Sequence, residues 1–264
     1  MLTKVQIDLC ARIEVVLVSP RNPLNIGAAA RAMANFGFRH LSVVATHAPL
    51  WREARSAIGA PELLQDAKES ATLAEAVSRS TLVLGTGTLT HRRPEQPVVP
   101  LPGLAPLVSR ELAGGGRVAI VFGSEKHGLT REDLSYCNIL VEIPTDPHQP
   151  SMNLGQAVAV CLYELVSRAL PAASIFSDAT EKGAAGKTDG AGCGADSGRL
   201  DRLAGVVEET MLAAGYSPSS MQAANRHDLR LLLRRLAPTE RDARRIMGLF
   251  RRILWRMKHD REVN

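Results

Sequence analysis

The sequence has no apolar run near the ~20 residues that a membrane-crossing helix needs, and its first residues lack the apolar core of a secretory signal. Both absences predict a cytoplasmic protein without a membrane partner. Cysteine is sparse. Cys10, Cys137, Cys161 and Cys193 are scattered, with no Cys-x-x-Cys and no paired histidine, which argues against a disulfide framework and against a zinc site. No Gly-x-Gly-x-x-Gly follows the first strand-like run and no acidic residue ends the second, which disfavours a dinucleotide-dependent oxidoreductase. The segment 183–188 ends in Gly186-Lys187-Thr188, as a phosphate loop does. No strand precedes it and no apolar helix follows it, which argues against an ATP site.

What is present is ordinary in amount and uneven in distribution. The 264 residues are 45% hydrophobic and 22% charged, enough for one large domain, or one medium domain with an appendage, around a real core. The net charge is +5, and it is not shared evenly. Residues 1–170 hold 16 Lys+Arg against 15 Asp+Glu, residues 171–199 hold 3 against 4, and residues 200–264 hold 13 against 8. The whole excess therefore sits in the last quarter. A basic terminal segment suits a polyanion such as RNA, and by charge alone a merely solvated helical face explains it equally well.

The first two-thirds alternate between two kinds of segment. Short runs rich in Val, Ile and Leu at 14–18, 41–45, 81–85, 118–122 and 139–143 predict buried parallel strands. Helix-like stretches lie at 26–36, 61–77, 104–112 and 153–169, with a short one at 130–134. This alternation predicts an α/β fold, a parallel sheet covered by helices on both faces. Residues 1–170 form this domain. Between 171 and 199 come six Gly and seven Ala with almost no large apolar residue, which predicts a flexible linker. Helical periodicity returns at 200–214, 228–236 and 239–257, the last opened by a Thr239/Asp242 capping pair. Residues 200–264 thus form a small basic helical domain. It is expected to dock on the sheet domain, or on that of a second copy, through Ile246, Phe250 and Leu254, and to show arginine outward.

Three segments lie at strand C-terminal ends, where open α/β sheets bind ligands. The first runs from Ser19 to Asn35. In it Asn25 is placed as a helix cap before the small residues Ile26-Gly27-Ala28-Ala29, with Arg31 one to two turns further on. The second is Val121-Phe-Gly-Ser-Glu-Lys-His-Gly-Leu-Thr130, whose glycines allow close approach at a strand end. The third is Ile143-Pro-Thr-Asp-Pro-His-Gln-Pro-Ser-Met-Asn-Leu-Gly155, a proline-stiffened loop into an apolar helix, with Ser151 as its expected N-cap. Each alone has a bland reading: a surface arginine, a glycine turn, a rigid connection.

Together and in this order the three resemble the SPOUT superfamily of RNA ribose methyltransferases, specifically the TrmH family and its TrmJ-like branch. The pattern appears here as Asn25-Ile-Gly27 with Arg31, then Phe122-Gly-Ser-Glu125-Lys-His-Gly128-Leu129, then Ile143-Pro144 with Ser151-Met152-Asn153. It spans about residues 12–170. The resemblance implies a trefoil-knotted sheet, an obligate homodimer, and S-adenosyl-L-methionine as cofactor with no metal. It implies cofactor contacts from Thr86, Gly87, Thr88, Gly123, Ile143, Pro150, Ser151 and Met152. It implies Arg31 as the catalytic arginine, Asn25, Ser151 and Asn153 as its supporting shell, and a structural role for Glu125. The substrate implied is tRNA, methylated on the ribose of nucleotide 32, with an rRNA or D-loop target and a non-catalytic RNA-binding module as the alternatives. Two departures stand out. Met152 replaces the usual Leu, a change that conserves volume. The loop after Gly85 reads Thr86-Gly-Thr-Leu-Thr-His-Arg-Arg93, with displaced arginines. RNA contacts are expected from Arg92 and Arg93 there, and from Arg244, Arg245, Arg251 and Arg252 in the basic tail.

Overall fold

The computed structural model describes residues 10–88, 94–169 and 194–262. Seven strands form one sheet: β1 (Ile13–Val18), β2 (His40–Val44), β3 (Lys68–Ser70), β4 (Leu82–Thr86), β5 (Val98–Pro100), β6 (Val118–Phe122) and β7 (Ile139–Glu142). Every pairing is parallel, and the order is β3-β2-β1-β6-β4-β7-β5. The late strand β6 is therefore inserted between β1 and β4. The central strands read as continuous apolar runs because both faces are covered. Along β1, Ile13, Val15 and Leu17 enter one core layer and Val16 and Val18 the other.

The helices of this domain are α1 (Pro23–Asn35), α2 (Pro61–Gln65), α3 (Leu73–Val77), α4 (Leu104–Ala113), α5 (Arg131–Leu134) and α6 (Leu154–Glu164), which runs on into a π-helical turn at Leu165–Ala169. Three expectations change here. The single helix predicted over 61–77 is α2, β3 and α3, because the polar triplet Lys68-Glu69-Ser70 pairs at the sheet edge. Asn25 is not the cap of α1. Asn22 is, its side chain accepting from the Leu24 amide at 2.9 Å with Pro23 at the first helical position. Ser151 does not cap α6 either. Asn153 does, its Oδ1 accepting from the amides of Gly155 and Gln156 at 2.9 and 3.3 Å.

The C-terminal unit comprises α7 (Ser197–Ala213), α8 (Gln222–Leu236) and α9 (Glu240–Glu262). It starts three residues before the predicted boundary at 200, with Asp196 as the cap of α7. Arg92 and Arg93 lie outside the described residues, and so does the predicted linker up to Cys193. The expected docking mode is corrected as well. Ile246 and Phe250 pack into the unit's own core with Leu200, Leu203, Val207 and Leu233. The contact with the sheet domain is polar and aromatic instead. The Ser197 and Gly198 amides donate to the carbonyls of Ser80 and Ser78, both at 2.9 Å. Arg230 lies 4.5 Å over the Tyr136 ring while its Nη1 meets Glu132 at 2.6 Å, and the buried Arg234 lies 5.2 Å from the same ring.

Candidate active site

The C-terminal ends of β4, β6 and β7 deliver three loops to one cleft with a volume of about 260 Å³. The first loop contributes Thr86, Gly87 and Thr88, the second Gly123 to Leu129, and the third Ile143, Pro150, Ser151 and Met152. All eight residues assigned to the cofactor by resemblance thus line a single cavity. Ser124, Lys126 and His127 line it too. Sequence reasoning passed over them, although they stand inside the quoted Phe122–Leu129 motif.

The loops hold one another by specific bonds. Thr86 Oγ1 donates to the Val121 carbonyl at 3.0 Å. Thr88 and Thr145 both donate to the Pro150 carbonyl, at 2.9 and 3.1 Å, tying the proline-rich loop over the end of β4. Gly123 is required by contact. A Cβ there would lie 2.1 Å from the Gly128 carbonyl carbon and 2.2 Å from the Leu129 nitrogen, so backbone meets backbone. Gly128 closes the turn with φ +64°, where only glycine is unstrained.

The cleft loops are joined to α1 through Glu125. Its carboxylate accepts from the Arg21 and Asn22 amides at 3.1 and 3.2 Å and from Asn25 Nδ2 at 2.9 Å. Asn25 Oδ1 in turn accepts from Asn153 Nδ2 at 3.0 Å, and Asn153 Oδ1 caps α6. One chain of hydrogen bonds therefore links the second loop, the start of α1 and the start of α6. Partial burial pushes the Glu125 pKa up, but hydrogen bonds from Asn25, from its own amide and from the Arg21 and Asn22 amides outweigh that, and the net pKa lies below the usual 4.5. A depressed carboxylate contributes stability above its unfolded pKa and loses it as pH falls through the folded one. Unfolding measured below about pH 5 should therefore show stability falling with pH in the native protein and a shallower fall in Glu125→Gln. Parallel curves would show that these bonds carry no such linkage.

The second assigned residue of α1 stands apart. Arg31 does not line the cleft. It lies six residues beyond Asn25, about 9 Å along the helix axis, on the exposed face, and makes no hydrogen bond or ion pair with a described residue. Of the four residues assigned to catalysis, Asn25 and Asn153 are bonded together, Ser151 lines the cleft, and Arg31 faces solvent. Among the described residues the thiols offer no alternative nucleophile, since burial pushes Cys137 and Cys161 up to about 12 and Cys10 to about 11. Among the described residues no three His, Cys, Asp or Glu gather as a metal site would require.

The sequence pattern described as the SpoU rRNA Methylase family matches residues 12–163. The chain belongs to the SpoU methylase family. The match covers every strand of the sheet and the three loops, so the cleft lies wholly within the SpoU methylase region. A tRNA (cytidine/uridine/adenosine-2'-O-)-methyltransferase TrmJ of Pseudomonas aeruginosa (strain UCBPP-PA14) is 42% identical over 155 residues, 58% of this chain and 60% of that protein. The matched region thus spans less than two thirds of that relative's length. A tRNA (cytidine/uridine-2'-O-)-methyltransferase TrmJ of Salmonella typhimurium (strain LT2) is 31% identical over 247 residues, 90% of this chain and 94% of its own. The crystal structure of TrmJ from Z. mobilis ZM4 superposes with a TM-score of 0.77 at 28% identity, covering 92% of this chain and 99% of that one. This SpoU methylase therefore shares the helical unit, as well as the sheet, with a solved structure.

Proposed function

We propose that this SpoU methylase transfers a methyl group from S-adenosyl-L-methionine to the 2'-hydroxyl of a tRNA ribose, at nucleotide 32 of the anticodon loop. The observation that carries the chemistry is the convergence of the three loops on one cleft, bonded through Glu125, Asn25 and Asn153 to the helix bearing Arg31. The tRNA substrate rests on relatives that act on tRNA and match up to 90% of this chain. Nucleotide 32 rests on the TrmJ-like resemblance alone.

The cleft suits the cofactor. Its volume lies just under the ~300–1,000 Å³ of small-molecule sites, and Leu129, Leu140, Ile143 and Leu154 give it apolar walls. Gly87, Thr88 and Ser151 line it and are exposed, so that their polar groups can read an adenine edge and a ribose. When bound, S-adenosyl-L-methionine supplies an electrophilic methyl group on a positively charged sulfur. The chain's own task is then to align the ribose hydroxyl and to stabilise the negative charge it develops. Alignment can be worth as much as ~7–11 kcal/mol. A guanidinium has donors and no acceptor, so Arg31 acts as an anchor for substrate phosphate and nascent alkoxide rather than as a base. The amides of Asn25 and Asn153 position α1 against α6 and so set where Arg31 can reach.

The protein works as a cytoplasmic homodimer in this reading. Leu24 on α1 and Tyr163 on α6 are 54% and 60% exposed, and those two helices are already in close contact, with Gly155 against Ala28. A second subunit on that face would bring its own surface to Arg31. The knotted crossing that the family implies belongs to the proline-rich loop, which Thr88 and Thr145 hold at Pro150.

The test is direct. The purified protein, S-adenosyl-L-methionine and unmodified tRNA or rRNA are combined, and ribose methyl groups are mapped by nucleotide. A single new 2'-O-methyl at tRNA position 32 is expected. Methylation of rRNA or of the D-loop would overturn the substrate assignment, and saturable binding of NAD in the cleft would overturn the chemistry.

A further inference from the structure

The long helix α9 has two unlike faces. Ala243, Met247 and Leu254 are buried. On the opposite side, at 100° per residue, Arg241, Arg245, Arg252 and Arg256 fall on one exposed stripe. Arg241, Arg245 and Arg252 make no ion pair with a described residue, whereas Arg244 is held by Glu240 at 3.1 Å. Beside the stripe Trp255 is 45% exposed, while the other tryptophan, Trp51, is buried at 4%. The indole is part of a layered array. The Arg252 guanidinium carbon lies 4.7 Å from its ring centroid. The His259 ring lies 4.2 Å away with 31° between planes, its Nδ1 2.9 Å from the Trp255 carbonyl oxygen.

We propose that Trp255 is a stacking platform for an unpaired nucleobase, with Arg245, Arg252 and Arg256 holding the phosphates on either side. The proposal rests on the reading of this protein as an RNA methyltransferase and names where on the helical unit single-stranded RNA sits. The chemistry of the face selects the occupant. A row of cations next to an exposed aromatic suits a ligand that is both polyanionic and planar. Magnitudes favour the exchange as well. An exposed cation–π contact is worth about two- to five-fold in an equilibrium, whereas a base stacked on an aromatic side chain is worth about 5- to 150-fold. Arg252 therefore gives up the indole to a base and is released toward a neighbouring phosphate. Of the arginines expected to contact RNA, Arg245 and Arg252 lie on this stripe together with Arg241 and Arg256, Arg251 is exposed but lies off it, and Arg244 is held by Glu240.

The test uses the full-length protein with a single-stranded oligoribonucleotide and a fully paired RNA duplex of the same length. Tryptophan emission should be quenched by the single strand and much less by the duplex, and Trp255→Ala should abolish that quenching, because Trp51 is shielded. Trp255→Ala should weaken single-strand binding about 5- to 150-fold with an unchanged salt slope, and Trp255→Phe should restore much of it. Arg245→Ala combined with Arg252→Ala should instead flatten the slope of log affinity against log salt for the single strand by about 1.4. Single-strand binding without quenching, or equal losses on both RNAs for Trp255→Ala, would overturn the platform and leave the methyltransferase reading intact. A native protein that binds neither RNA at low salt and methylates none overturns both.

Discussion

Arg31→Ala should lower turnover at saturating RNA by about 10²–10³-fold, the loss seen when one charge-stabilising donor is removed, with cofactor affinity and assembly unchanged. Arg31 lies outside the cleft and bonds to no described residue, so its removal leaves no buried partner unsatisfied and no packing defect. In the proposed role its worth is realised only when substrate is present. Arg31→Lys should recover little, because an ammonium cannot present the planar fork that engages phosphate or alkoxide from two sides. Single-turnover kinetics with cofactor binding measured in parallel decide the matter. Near-native turnover in Arg31→Ala would remove this arginine from the mechanism.

Gly123→Ala should cost more in structure than any surface change in the domain. The added methyl would stand 2.1, 2.2 and 2.5 Å from the Gly128 carbon, the Leu129 nitrogen and the Gly128 oxygen. No rotamer relieves a clash with backbone, so the turn from Ser124 to Gly128 must open, and with it the bond from the Gly128 amide to the Ser124 carbonyl at 2.8 Å. Overpacking of this kind costs about 1–3 kcal/mol. Because the same turn carries Glu125 and walls the cleft, cofactor affinity should fall in parallel. Gly205→Ala supplies the control. That glycine lies inside α7 with nothing within 4 Å of an added Cβ, so alanine should stabilise the helix by roughly 0.5–1 kcal/mol. Urea unfolding and calorimetry of both variants test the pair, and equal effects would refute the contact argument.

The fold was legible where burial is two-sided. Five strands were placed within a residue or two because Val, Ile and Leu fill both faces of each. The two missed strands, β3 and β5, are three residues long and lie at the sheet's edges. Lys68-Glu69-Ser70 and a segment ending in Pro100 carry no apolar period, since edge strands are selected for polarity and proline. The caps were misplaced for a related reason. Asn22, Asn25, Ser151 and Asn153 are all plausible N-caps by type, and only the tertiary position of Glu125 decides which asparagine is drawn away from its own helix. The three loops were readable as a set, and the structure gathers around one cleft the eight residues that the resemblance assigns to a cofactor. The docking of the helical unit was not readable. Arg230 and Arg234 are far in sequence from Tyr136, and their contact with its ring is one that no periodicity announces.

The strand order has a consequence for the birth of the chain. Ile13 pairs with Val118, and Leu82 pairs with the same residue from the other side. The centre of the sheet cannot close until β6 has been made. At about 5–20 residues per second, a ribosome needs roughly 5–20 s to go from β1 to β6. During that time β1 can pair with β2 on one side only, and β4, once made, has neither of its neighbours β6 and β7, on a chain that is still tethered. Close parallel pairing at such separation is slow, so the newly made sheet is most vulnerable to aggregation in the interval before Val118 emerges. A chaperone that holds the nascent chain through that interval would protect this protein more than one that acts after release.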